Sequence, residues 1–192
     1  MMKKFLSAFL CLLMILGFAG CSNPVEESKN DLENAKQELE ETYEKYGWVE
    51  EETVDTLVAK FNTEIMDGGI GTPASDDYMV IENDTYWFGL TEDISFYVKP
   101  LECTEDKNTD IADISAVRMS KANFNEDTLA DYAKKIIKAN NYDFTDEEID
   151  NFIREAKEIS ADGQMSNNGK GISVGLYESD EFYEYQVRRL YK

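Results

Sequence analysis

Several short stretches carry residue types that could do chemistry, and each can be held against the spacing that chemistry needs. In TEDKNTD, Asp106, Asn108 and Asp110 repeat the opening spacing of a calcium loop. Ile111 then stands where that loop needs glycine for its turn, and Val117 stands where it needs a bidentate glutamate. The stretch 106–113 therefore reads as a solvated loop, with weak calcium binding outside the cell as the lesser alternative, and no metal ligand is assigned. In GQMSNNGKG, the spacing from Gly163 to Gly169-Lys170 is one residue too long for a phosphate loop. Gly171 replaces the hydroxyl residue that would hold magnesium, and a strand pattern follows where a helix N-terminus should be. Histidine is absent from the chain, which removes Ser-His-Asp and Cys-His catalysis and the usual proton shuttle near neutral pH. Glycoside-type chemistry would need two carboxylates at a fixed separation in a cleft. With 40 Asp plus Glu, the sequence singles out no pair. No cofactor is expected, and the chain reads as a non-catalytic binding or interaction domain, with an envelope hydrolase using paired carboxylates, or an acidic structural spacer, as the alternatives.

Aromatic residues give a better lead. TYWFGL sets Tyr86, Trp87 and Phe88 in a row. EFYEYQV puts Tyr183, Tyr185 and Val187 on one face of a strand and Phe182, Glu184 and Gln186 on the other. Exposed rings on a sheet suit a protein, peptide or glycan partner, so Trp87, Tyr86, Tyr183 and Tyr185 are the candidate contact residues. VRRLYK gathers Arg188, Arg189 and Lys192 at the end of the chain, where pairing with the acidic body is expected.

The first residues fix an expected address. MMKK carries Lys3 and Lys4, and Phe5 to Gly20 follow without a charge. A basic start, an apolar middle and small residues before a processing point make a secretory leader. As a membrane span the run is short: sixteen helical residues reach roughly 24 Å, against a hydrocarbon core of about 30 Å. Phe18-Ala19-Gly20-Cys21 resembles the lipobox of bacterial lipoproteins, with Phe18 where that family usually has Leu, Val or Ile. The resemblance covers residues 1–23 only. It implies cleavage between Gly20 and Cys21, lipid on the Cys21 sulfur, and a place on the bacterial cell membrane facing outside the cytoplasm. Two or three acyl chains would anchor stably where one would not. Cys11 then leaves with the leader, and Cys103 remains as a lone, part-buried, inert thiol. Loss of Lys3 and Lys4 takes the net charge from −21 to −23. Charge of that sign disfavours nucleic acid and anionic headgroups as partners.

The rest of the chain supplies the scaffold. It is 42% hydrophobic and 12% aromatic, too apolar for a wholly disordered chain. Residues 1–20 are read as the leader, 21–50 as lipidated cysteine, polar spacer and charged helix, and 51–192 as one globular domain. Leu32, Ala35, Leu39, Tyr43 and Tyr46 form a narrow helical stripe. Val54, Leu57, Val58, Phe61 and Ile65 form a stronger one, ended by Asp67-Gly68-Gly69. Strands are expected at 78–83 and 85–90 around an Asn83-Asp84 turn, then at 93–103 and near 113–120. Two helices follow, one with the stripe Leu129, Tyr132, Ala133, Ile136 and Ile137, the next opened by a Thr145/Glu148 capping box. A final hairpin turns near Ser179-Asp180. Neighbouring strands joined by short turns imply antiparallel pairing. The expected fold is α+β, an antiparallel sheet of about five or six strands with helices packed on one face, preceded by the charged N-terminal helix.

Overall fold

The computed structural model describes residues 24–74, 76–160, 165–167 and 170–191. The chain divides into two compact units, one ending at Glu41 and the other spanning Thr42–Lys192. Helix α1 (Pro24–Tyr46) runs from the first into the second. Over residues 31–41 its side chains are almost all exposed, including Leu32 and Leu39. No described helix is long and apolar enough to cross a membrane.

The body is α+β. Helix α2 (Val54–Gly68) is followed by strands β1 (Met79–Ile81), β2 (Thr85–Gly89), β3 (Ile94–Pro100) and β4 (Ala112–Ser120). A 3-10 turn (Lys121–Asn123) leads to helices α3 (Glu126–Asn140) and α4 (Asp146–Ile159). Strands β5 (Ser166–Asn167), β6 (Ile172–Glu178) and β7 (Phe182–Arg189) close the chain. All pairings are antiparallel, in the order β1-β2-β3-β4-β7-β6-β5. The C-terminal hairpin thus joins the sheet through β7 against β4, and the two helices bridge that step.

Local chemistry explains the element ends. Thr53 caps α2, its hydroxyl accepting from the Thr56 N–H, and Gly69 ends it in the left-handed region. Asn125 caps α3. Thr145 and Glu148 form the reciprocal capping box of α4. Asn83 and Asp84 both take positive φ, 64° and 56°, which turns β1 into β2 with the twist a tight hairpin needs.

One face of the sheet is the core. Tyr86, Phe88, Ile94, Phe96, Val98, Val117, Tyr185, Val187 and Val174 point inward and meet the buried stripes of α2, α3 and α4. Phe61 of α2 stacks on Phe96 at 4.2 Å between ring centroids. A row of mutually touching rings on one layer excludes water efficiently and fixes the helix positions through shape.

Residues 42–50, assigned to the tether from sequence, belong to the body. The Tyr43 hydroxyl donates to the Tyr191 carbonyl at 2.7 Å, Gly171 N–H donates to Tyr46 at 2.6 Å, and Val49 N–H donates to Leu190 at 2.9 Å. Val49 also bridges Tyr191 in parallel. The boundary moves because these bonds go to the far end of the chain, and no local pattern in 42–50 shows them.

Candidate functional site

The four candidate aromatic residues separate. Tyr86 is fully buried and Tyr185 is 2% exposed, so neither ring can meet a partner. Tyr86 sits under the helices and donates its hydroxyl to Asp110 at 2.7 Å. Burial, then Asp110, pushes its pKa well up. Burial likewise raises Tyr185. Both are corrections to the sequence reading, which could not tell which face of each strand the helices take. Tyr183 lies half-buried at the rim of that same face, 4.3 Å from Phe124 between centroids, with its hydroxyl on Glu178. Only Trp87 of the four points to the opposite face, half-buried. Gly20 and Cys21 lie outside the described residues, as do Gly163, Gly169 and Lys192.

The calcium-like loop keeps its carboxylates for the protein's own donors. Asp106 accepts from the Asn108 N–H and amide. Asp110 is 3% exposed and accepts from the Thr104 N–H, the Thr104 hydroxyl and Tyr86. Burial pushes the Asp110 carboxyl up, but the Thr104 and Tyr86 hydrogen bonds outweigh it and hold the group below its ordinary range. Among the described residues no group of three or more acids and cysteines is placed to hold a metal. Cys103 is a free, half-buried thiol.

On the face away from α2, α3 and α4, cross-strand register builds a polar-aromatic cluster. Arg118 of β4 faces Glu184 of β7, and Trp87 of β2 faces Tyr97 of β3. The Arg118 Nε and Nη2 each lie 2.7 Å from one Glu184 oxygen. The guanidinium rests on Phe182 at 3.7 Å and on Tyr97 at 4.3 Å, while Gln186 donates to the other Glu184 oxygen. Glu184 is 4% exposed beneath this arginine. Met79 pairs with Trp87 in register and, with Ile81, exposes apolar surface at the β1 edge. Lys99 and Arg188 also lie on this face, with the Asp113 carboxylate close enough to feel both, so its charged strand residues are three cations and two acids on a strongly acidic protein.

A second constellation lies where β7 ends. A cleft of about 600 Å³ is bounded by Trp48–Thr53, the C-terminus of α3 through Asp143, and Arg189. Its floor is ionic. Glu52 lies 3.0 Å from Arg189 Nη1 and 2.6 Å from Lys60 Nζ, with the Glu52 and Arg189 side chains 6% and 3% exposed. The Arg189 Nη1 donates to the Asn140 side-chain oxygen at 3.1 Å and Nη2 to the Glu50 carbonyl at 3.0 Å. Its Nε, also buried, finds no acceptor. The Asn140 amide in turn donates to Ser115 and the Ile136 carbonyl. Trp48 and Tyr142, 40% and 44% exposed, stand on the rim. Burial, then Glu64 and Glu52, raises the Tyr142 pKa. Gly171 makes the Trp48 position possible: it has φ +77°, and a Cβ there would lie 2.3 Å from the Trp48 carbonyl carbon.

The sequence reading expected Arg189 to pair with the acidic body, and it does, through Glu52. It missed the cleft. A usable signal was present: Arg189 continues the inward-facing series Tyr183, Tyr185, Val187, and a cation at an inward strand position demands a buried anion.

No protein-family model matches this chain, and neither a curated protein nor a solved structure does.

Proposed function

We propose that this protein is a bacterial lipoprotein, tethered through Cys21 to the outer side of the cell membrane, whose α+β body is a non-catalytic module that docks a protein partner of the cell envelope. The observation that carries the docking reading is the face built around Arg118. Trp, Tyr, Phe, Met and Arg are enriched at protein interfaces, and Trp, Tyr and Arg dominate their binding energy; here Trp87, Tyr97, Phe182, Met79 and Arg118 share one side of one sheet. Arg118 is already held by Glu184 and by two rings, so little side-chain entropy is left to lose on contact. The surplus of cations on this face favours a partner with an acidic rim around an apolar centre.

The test has two arms. Cys21→Ser should move the protein from membranes to the soluble fraction; a variant still carrying lipid and still sedimenting with membranes overturns the anchor. For docking, a photo-crosslinking residue at position 97 in cells should give one discrete adduct that Arg118→Lys weakens, the ammonium still neutralising Glu184 while the planar guanidinium contact is lost. No adduct, or one indifferent to residue 118, overturns the docking face.

A further inference from the structure

The cleft beside Trp48 lies apart from the docking face and has the marks of a small-molecule site. Its floor holds three charged side chains in contact, Lys60, Glu52 and Arg189. Glu52 and Arg189 are almost fully buried, and a buried ion pair contributes little to stability compared with apolar residues of similar volume, so packing alone does not account for it. Its rim holds two of the three most exposed aromatic residues among the described residues, Trp48 and Tyr142; the third, Phe124, lies elsewhere. The wall is also fixed in advance. Val49, Glu52 and Thr53 are tied by backbone hydrogen bonds or bridges to Leu190, Ala112 and Ile111, and preorganised walls lower the entropy lost on binding.

The charges choose the ligand class. An anion would meet Glu50, Glu51, Glu52 and Asp143, all of which line the cleft. A carboxylate would need spare positive charge, yet Arg189 and Lys60 share the one Glu52 carboxylate, and with Glu50, Glu51 and Asp143 also lining the cleft its acids outnumber its cations. An organic cation would meet like charge on both sides, from the Lys60 ammonium, which already lies 5.4 Å from the Tyr142 ring centroid, and from the Arg189 guanidinium on the floor. An uncharged ligand with many hydroxyls meets neither objection. Its hydroxyls can donate to the rim carboxylates, and its C–H faces can lie on the two rings. From this we infer that the cleft binds a neutral saccharide of one or two rings between Trp48 and Tyr142. The cleft volume of about 600 Å³ falls within the range of small-ligand sites.

The test uses the full chain in detergent. The protein has two tryptophans, so Trp87→Phe leaves Trp48 as the sole indole reporter. Its emission is followed against N-acetylglucosamine, glucose, maltose, glycine, choline chloride and sodium phosphate. At least one saccharide should give a saturable change, and Tyr142→Ala should weaken it by about tenfold or more with the circular-dichroism spectrum unchanged. If Tyr142→Ala does not fold, Tyr142→Leu carries the same comparison. The inference is overturned if no saccharide in the panel responds, if the response is indifferent to residue 142, or if glycine, choline or phosphate binds as strongly as the best saccharide. A failed crosslink at position 97 leaves this titration untouched, so the two sites stand or fall separately.

Discussion

Replacing Glu52 by glutamine should destabilise the body far more than a surface substitution does. Arg189 Nη1 lies 3.0 Å from Glu52, and both side chains are almost fully buried. Two unit charges at that separation attract by roughly 5 kcal/mol at an effective dielectric of about 20. Glutamine keeps the volume and an acceptor oxygen but removes the anion. Arg189 would then retain Asn140 and the Glu50 carbonyl as dipolar partners only. Breaking a buried pair from one side costs about 3–5 kcal/mol; the surviving acceptors put Glu52→Gln near the lower end, about 3 kcal/mol. Arg189→Met should cost about 2 kcal/mol, because Lys60 still faces the Glu52 carboxylate at 2.6 Å. Since each single change removes the same contact, the double variant should fall short of the sum by about 2 kcal/mol. Urea unfolding reads all three. With a slope of about 2 kcal/mol per molar, Glu52→Gln should lower the midpoint by about 1.5 M without changing the slope. A loss for Glu52→Gln below about 1 kcal/mol, or two single changes that simply add, would refute the coupled-floor argument.

Three other substitutions test separate parts of the structure. Gly171→Ala should destabilise by about 2 kcal/mol or more, from its left-handed φ and the contact with the Trp48 backbone; thermal unfolding reads the loss, and Trp48 emission should shift as the cleft wall moves. Asp113→Asn should stabilise the protein at neutral pH. Burial raises the Asp113 carboxyl above its ordinary range even though Arg188 and Lys99 pull it down, and one of its oxygens is buried without a partner. Because the folded pKa is raised, the penalty is full above that folded value and vanishes below the unfolded one. The gain from Asn should therefore be present at pH 7 and shrink as the pH falls through the window from the raised folded value to about 4; a gain constant with pH, in melting curves recorded across that range, contradicts the assignment. Asp84→Gly should stabilise the β1–β2 turn by roughly half a kcal/mol, since both central residues already take positive φ and Asn-Gly suits that geometry best; an unchanged or lower melting temperature counts against it.

Much of the fold was legible because its signals are local. A capping box needs two residues three apart, an alternating strand needs neighbours, and a hairpin turn needs the pair at its tip. Each occurs where the chain's own pattern put it: Thr145 with Glu148, Ile94 with Phe96 and Val98, Asn83 with Asp84. The attachment of β7 to β4 was not legible, because it depends on how α3 and α4 pack before the C-terminal hairpin returns. The side of β2 that faces water was hidden for a different reason. Tyr86, Trp87 and Phe88 are all aromatic, so hydropathy gives no contrast between faces, and the helices decide.

The candidate sites divide along the same line. The docking face follows from register: once β3, β4 and β7 are paired, Tyr97, Arg118, Glu184 and Phe182 must share one side. The cleft has no such shortcut. Glu52, Asn140 and Arg189 come from three distant segments, and each looks like ordinary surface polarity in its own neighbourhood. What distinguishes them is a mismatch between residue type and expected burial, visible for Arg189 on an otherwise apolar inward series. A charge at an inward position raises a demand that local sequence cannot meet, so its partner must be brought by the fold. The 47–53 segment, which brings Glu52 to Arg189, also brings Trp48 to the rim. The Glu52→Gln cycle therefore probes more than an ion pair: if the floor loosens as argued, the Trp48 wall loses its fixed position, and saccharide affinity should fall even in the fraction of molecules that stays folded.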